Sequence, residues 1–78
     1  MERILVAGNN SADREVRALI IEFGGYICAT AGSLEEAVNL LRKGFFDLVV
    51  TDLKLGGNSP DHIVRCLKGV SPEVVVIA

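Results

Sequence analysis

At 78 residues, with 50% hydrophobic residues and a net charge of −2, the chain is sized for one small domain and is too apolar for a disordered tail. Acids and bases are interspersed, no basic stripe occurs, and aromatic residues make up only 5%, which argues against direct contact with DNA or RNA. No apolar run approaches the roughly 18 residues of a membrane span, and MERILVAG lacks the small-residue cleavage site of a secretory signal, so a cytoplasmic chain without membrane contact is expected.

The first stretch, Arg3 to Ala7 (RILVA), is a short apolar run with β-branched residues and predicts a strand buried on both faces, beginning at the initiator Met. Gly8-Asn9-Asn10 follows as a turn cluster. Ser11 is the expected N-cap of a first helix, with Asp13 and Glu15 in the first turn, where the helix dipole favours acids. Val16, Leu19, Ile20 and Phe23 recur at helical spacing as one amphipathic face, and Gly24-Gly25 stops the helix.

Tyr26 to Thr30 (YICAT) predicts a second strand. Ser33 and Glu36 form an S-x-x-E capping box, Ala37, Leu40 and Leu41 make the apolar stripe of a second helix, and Lys43-Gly44 closes it. Asp47 to Thr51 predicts a third strand, followed by Asp52 and a Gly56-Gly57-Asn58 loop. Ser59-Pro60 is an N-cap followed by proline at the first helical position. Ile63, Val64 and Leu67 form the stripe of a third helix that Gly69 is expected to end, and Val74 to Ile77 predicts a fourth strand. This β-α-β-α-β-α-β alternation with short connections implies a parallel sheet covered by helices on both faces, joined by right-handed crossovers. No linker, repeat or low-complexity segment interrupts it.

In such sheets, sites form at the carboxyl ends of strands where the strand order reverses. The first strand offers Gly8-Asn9-Asn10 there and the third offers Asp52, so the two ends meet if these strands are neighbours. Asp47 lies at the opposite end of the third strand and is excluded from any site. Cys28 and Cys66 are far apart and His62 is the lone histidine. A zinc site needs about four ligands, so both cysteines are expected to be reduced thiols packed as small apolar groups, and His62 a solvated surface residue.

ERILVAGNNSADREVRALI followed by FDLVVTDLKLGG resembles the receiver domain of bacterial two-component response regulators, and the resemblance runs over the whole chain. It implies the flavodoxin-like (CheY-like) α/β fold, a three-layer parallel sheet in strand order 2-1-3-4 over residues 1–78. The fold is truncated: it lacks the last helix-strand-helix portion of the family. It also implies that Asp52 is the phosphoacceptor, taking a phosphoryl group from a histidine kinase. A carboxylate can attack phosphorus, and a divalent cation normally offsets the charge on the phosphoryl oxygens. The family's Mg²⁺ ligands map onto Asp52, Asn9 and the backbone carbonyl of Lys54.

The chain departs from the family's pattern in this pocket. The acidic pair after the first strand is replaced by Gly8, which has no side-chain ligand, and Asn9, which offers a neutral oxygen. Mg²⁺ prefers hard, mostly anionic oxygens, so weak Mg²⁺ binding and slow or absent phosphorylation are expected. The Lys54 ammonium could stand in part for the missing cation, but solvation at the surface is the stronger expectation. The family's strand-four Ser or Thr and strand-five Lys would both lie beyond Ala78. EVVVIA would then form an exposed apolar sheet edge, and the first helix would carry an apolar patch. The residues are expected to be either a fragment of a longer polypeptide or a chain that pairs with itself through the fourth strand.

Other readings are poorly supported. Gly8 stands alone, without the G-x-G-x-x-G of a dinucleotide fold, and no G-K-[ST] of a P-loop occurs. An aspartate-based phosphatase wants a second aspartate two residues on, where Lys54 stands. The expected function is therefore a receiver-like signalling domain of a phosphorelay that turns over no metabolite and at most catalyses its own phosphorylation. The alternative is a phosphorylation-independent pseudo-receiver acting as a protein-protein interaction or dimerisation module. Its partners would be a histidine kinase if it is active, and an output domain or a second copy in either case.

Overall fold

The computed structural model describes residues 2–77; Met1, where the sequence reading begins the first strand, and Ala78 lie outside the described residues. The elements run β1 (Arg3–Ala7), α1 (Ser11–Phe23), β2 (Ile27–Ala31), α2 (Leu34–Lys43), β3 (Leu48–Thr51), a short 3-10 turn (Leu55–Gly57), α3 (Pro60–Val70) and β4 (Val75–Ile77). The strands form one parallel sheet in the order β2-β1-β3-β4. This is the truncated flavodoxin-like arrangement that the resemblance implies. The step from β1 to β2 runs opposite to the later steps, so crossovers of one hand put α1 on one face and α2 with α3 on the other.

β1 is the centre of the molecule. It pairs with β2 on one side and β3 on the other, and Ile4 to Ala7 are all buried. That two-sided burial is why its sequence is apolar without alternation. The main core lies between the sheet and α2 with α3, where Leu5, Ala7 and Val49 meet Ala37, Leu41, Ile63 and Leu67. Burying each Leu, Ile or Val among them contributes about 1.5–3 kcal/mol. At the amino ends of the strands, Asp47 joins the backbone of β1 to β3: its Oδ2 accepts from Arg3 N at 2.9 Å, and its own N–H donates to the Arg3 carbonyl at 2.9 Å.

Several boundaries move from the sequence reading, each for a local reason. Asn10 rather than Ser11 caps α1, its Oδ1 accepting from the Asp13 N–H at 3.0 Å. β2 shifts by one residue, from Tyr26–Thr30 to Ile27–Ala31, and β3 begins at Leu48 instead of Asp47. Gly69 does not end α3; the helix runs through it to Val70 and its cap is Ser71, whose N–H donates to the Leu67 carbonyl. The glycine loop is a 3-10 turn that buries Leu55 completely, with Gly56 and Gly57 at φ 61° and 78°, values that an L side chain rarely adopts. The expected Ser33 and Ser59 caps are in place, accepting from the N–H groups of Glu36 and His62.

The orientation of α1 positions the site. Its apolar stripe faces outward: Val16, Leu19, Ile20 and Phe23 are exposed, Phe23 to 91%. Arg14, Ala18 and Ile21 are the residues drawn under, with Ala18 buried and the other two partly buried. These recur at i, i+4 and i+7, so they share a face of the helix distinct from the apolar stripe. α1 therefore presents arginines, not its apolar stripe, to the carboxyl ends of the strands.

Candidate functional site

Asp52 directly follows β3, and its N–H donates to the Ala7 carbonyl at the end of β1 at 3.3 Å. The expected meeting of the two strand ends therefore occurs. The residue placed against the Asp52 carboxylate is Gly8 rather than Asn9. An ideal Cβ on Gly8 would stand 2.9 Å from Asp52 Oδ2, so the carboxylate leans into space that a side chain at position 8 would take. Gly8 is fixed from both sides, its N–H donating to the Ala31 carbonyl of β2 at 3.0 Å and its carbonyl accepting from Arg14 at 2.6 Å.

The other oxygen of Asp52 is held by Arg17, at 2.7 Å from the guanidinium to Oδ1. Both side chains remain partly open to solvent, at 43% and 34%. Asp52 raises the Arg17 pKa above its ordinary value, first through the hydrogen bond and then through charge attraction. The cation at Asp52 therefore belongs to the protein. Arg17, Val50, Thr51, Asp52 and Leu53 line an open cleft of about 460 Å³ above the strand ends.

Asn9 and Lys54 meet each other instead of Asp52. The Asn9 amide donates through Nδ2 to the Lys54 carbonyl at 3.2 Å and accepts through Oδ1 from the Gly56 N–H at 3.0 Å. One side chain thus clips the loop after β1 to the loop after β3. The Lys54 side chain is exposed and makes no ion pair among the described residues. Of the three expected metal donors, the Asp52 carboxylate is paired with Arg17, and the Asn9 and Lys54 oxygens already accept hydrogen bonds. This donor set fits a small hard divalent cation poorly. No cluster of three or more His, Cys, Asp or Glu side chains able to hold a metal occurs among the described residues.

Arg17 is the site residue that sequence reasoning missed. It falls between stripe residues Val16 and Leu19 in sequence, and its partner lies 35 residues away. The available signal was its spacing: Arg14 and Arg17 stand three apart, on one side of the first helix, just after the turn that ends the first strand. His62 is exposed as expected, but its Nε2 lies 3.5 Å from Cys66 Sγ on the same helix. Cys28 is partly buried, and that burial, with the Glu22 charge adding, pushes its thiol up from the ordinary cysteine value. No described helix is long and apolar enough to cross a membrane.

No protein-family model and no curated protein sequence matches the chain. Solved structures do match it. A response regulator receiver domain protein from Clostridium thermocellum superposes with a TM-score of 0.88 at 27% identity, over 97% of this chain and 62% of that one. The response regulator TrrA of Thermotoga maritima, in complex with Mg²⁺ and BeF, gives 0.86 at 28% identity over 97% and 66%. TrrA bound to the histidine kinase ThkA gives 0.85 at 28% identity, over the same shares of the two chains. A Burkholderia pseudomallei response regulator with a phosphorylated aspartic acid, a calcium ion and citrate gives 0.87 at 25% identity over 97% and 45%. The chain spans less than two-thirds of the length of the Clostridium and Thermotoga proteins. These neighbours are receiver domains, and the four strands and three helices of this chain share their fold.

Proposed function

We propose that this chain, whose fold is that of response regulator receivers, works as a receiver-like module of a two-component phosphorelay, with Asp52 as its phosphoacceptor. The observation that carries the reading is the position of Asp52. It stands at the carboxyl end of β3, beside the end of β1, partly exposed and over an open cleft. Its solved relatives supply the context, one bearing a phosphorylated aspartic acid and another bound to a histidine kinase. On this reading residues 1–78 form one receiver-like unit. Its partners are a histidine kinase, and an output domain or a second copy.

The chemistry asked of the chain is small. A carboxylate oxygen of Asp52 bonds to phosphorus, the bond from phosphorus to the donor breaks, and the electron pair leaves with the donor group. The chain turns over no metabolite. Divalent cation support is weak, because Asp52 is the lone carboxylate among Gly8, Asn9 and Lys54.

A second reading is favoured by the Asn9 clip. Asn9 joins the two loops that a shared metal would otherwise join, which suits a pseudo-receiver that works by protein-protein contact without phosphorylation. Intact mass after incubation with acetyl phosphate, with and without Mg²⁺, separates the two. A phosphoryl mass gain that disappears in Asp52→Asn supports the phosphoacceptor. An unchanged mass at millimolar Mg²⁺ supports the contact module.

A further inference from the structure

The ion pair between Arg17 and Asp52 joins side chains from different elements, and it takes up one oxygen of the carboxylate that follows β3. Oδ1 is bonded to the guanidinium, and Oδ2 leans into the space beside Gly8 that a side chain there would take. Arg14, one turn earlier, holds the Gly8 carbonyl at 2.6 Å and fixes α1 against the end of β1, which sets the reach of Arg17. Nearby, Asn9 and the Lys54 carbonyl satisfy each other. Each group that could face a metal therefore has a partner supplied by the chain itself.

We propose that Arg17 is a built-in counter-cation for Asp52, and that a divalent cation reaches this carboxylate only by displacing it. The inference deepens the reading of Asp52 given above and rests on it for its biological meaning, though not for its test. A surface ion pair of this exposure adds little to folding stability. Its consequence is occupancy: a guanidinium at 2.7 Å offsets the charge of the carboxylate and takes up Oδ1. Because both side chains touch solvent, the pair is able to open and exchange with an external cation. Arg17 therefore sets a threshold of cation concentration below which Asp52 is neutralised from within.

The test is Mn²⁺ binding by electron paramagnetic resonance on the full chain. Arg17→Gln removes the competing charge and is expected to tighten Mn²⁺ binding by about tenfold or more, since a unit charge a few ångströms away is worth at least that at a partly shielded site. Arg17→Lys keeps the charge and is expected to stay near wild type. Asp52→Asn in the Arg17→Gln background is expected to cancel the gain. Equal affinity in wild type and Arg17→Gln, or a gain that survives Asp52→Asn, would overturn the proposal. Should Arg17→Gln fail to fold by circular dichroism, the Arg17 Nε–H resonance decides instead. It is expected to shift in Asp52→Asn and on saturation of wild type with Mg²⁺, and an unmoved signal in either case overturns the proposal. Acetyl phosphate labelling is read separately. A gain in metal affinity without labelling keeps the counter-cation and removes the phosphoacceptor, whereas labelling with no Arg17 effect on Mn²⁺ does the reverse.

Discussion

Asp52 Oδ2 lies where a side chain on Gly8 would begin, 2.9 Å from the ideal position of its Cβ. The carboxylate that ends β3 and the glycine that follows β1 are thus alternative occupants of one space. Gly8→Ala should therefore move the Asp52 carboxylate, which is the end of a side chain and can turn, rather than the sheet. We expect a stability loss of about 1 kcal/mol, the usual scale for a strained rotamer, measured by urea unfolding. A loss several times larger would mean that the backbone, not the carboxylate, gives way.

The Asn9 clip makes a second expectation. Its amide donates to the Lys54 carbonyl and accepts from the Gly56 N–H, so Asn9→Ala removes both bonds between the two loops. The cost should be about 1–3 kcal/mol, from two hydrogen bonds at about 0.5–1.5 kcal/mol each. Asn9→Asp keeps the acceptor for Gly56 but sets a carboxylate oxygen against the Lys54 carbonyl, so it should also destabilise. Chemical denaturation of both variants checks this, and an Asn9→Asp chain more stable than wild type would contradict the clip.

Caps give a third. Asn10 accepts from the Asp13 N–H, while Ser11 is the first residue inside α1. Asn10→Ala should cost about 1 kcal/mol, as N-cap removal usually does, and Ser11→Ala should be close to neutral. The order of the two thermal midpoints is the measurement. The opposite order would restore the Ser11 cap read from the sequence.

Much of the architecture was legible because its determinants are local. The Ser33–Glu36 spacing, the Ser59-Pro60 pair and the uninterrupted apolar run of β1 each specify their element within a few residues, and the alternation of elements then leaves few possible topologies. What was not legible depends on distance or on a near tie. Asn10 and Ser11 are both good caps, and only the backbone geometry chooses between them. Gly69 is tolerated inside α3 because Ile63 and Leu67 hold that helix in the core. Leu55 looks like a loop residue until α3 and the sheet close over it. Arg17 is invisible as a site residue because its meaning comes from Asp52, which only the folded sheet brings within reach.

The outward stripe of α1 makes a fourth expectation. Phe23 is 91% exposed, so Phe23→Ser should change stability by no more than about 0.5 kcal/mol, as for surface substitutions generally. With Val16, Leu19 and Ile20 it forms an apolar patch of the kind that drives association. Sedimentation should show wild type associating as concentration rises and Phe23→Ser associating less. A wild-type chain that stays monomeric throughout would show that the stripe is idle.

Cys28 gives a pH-dependent expectation. Burial, then the Glu22 charge, pushes its thiol above the ordinary cysteine value, so the folded chain holds this proton more tightly than the unfolded chain does. The stability that Cys28 contributes is whole below the ordinary thiol value and is lost as pH rises through the higher folded value. Alkylation of Cys28 should be slow near pH 8 and accelerate as pH climbs past the ordinary thiol range, followed by mass spectrometry after digestion. A rate that matches a free thiol at every pH would contradict the burial.

β1 lies at the middle of the sheet, yet it leaves the ribosome before either of its partners. Ile4 must wait for Cys28 on one side and for Leu48 on the other, and the second pairing spans most of the described chain. Contacts so distant in sequence are slow to form, because a long loop must close before the pairing gains anything. The most deeply buried strand of the molecule is thus the one left uncovered longest during synthesis. Its closure should set the folding rate, and the residues that complete it, Val49 and Val50, are where substitutions should slow refolding most.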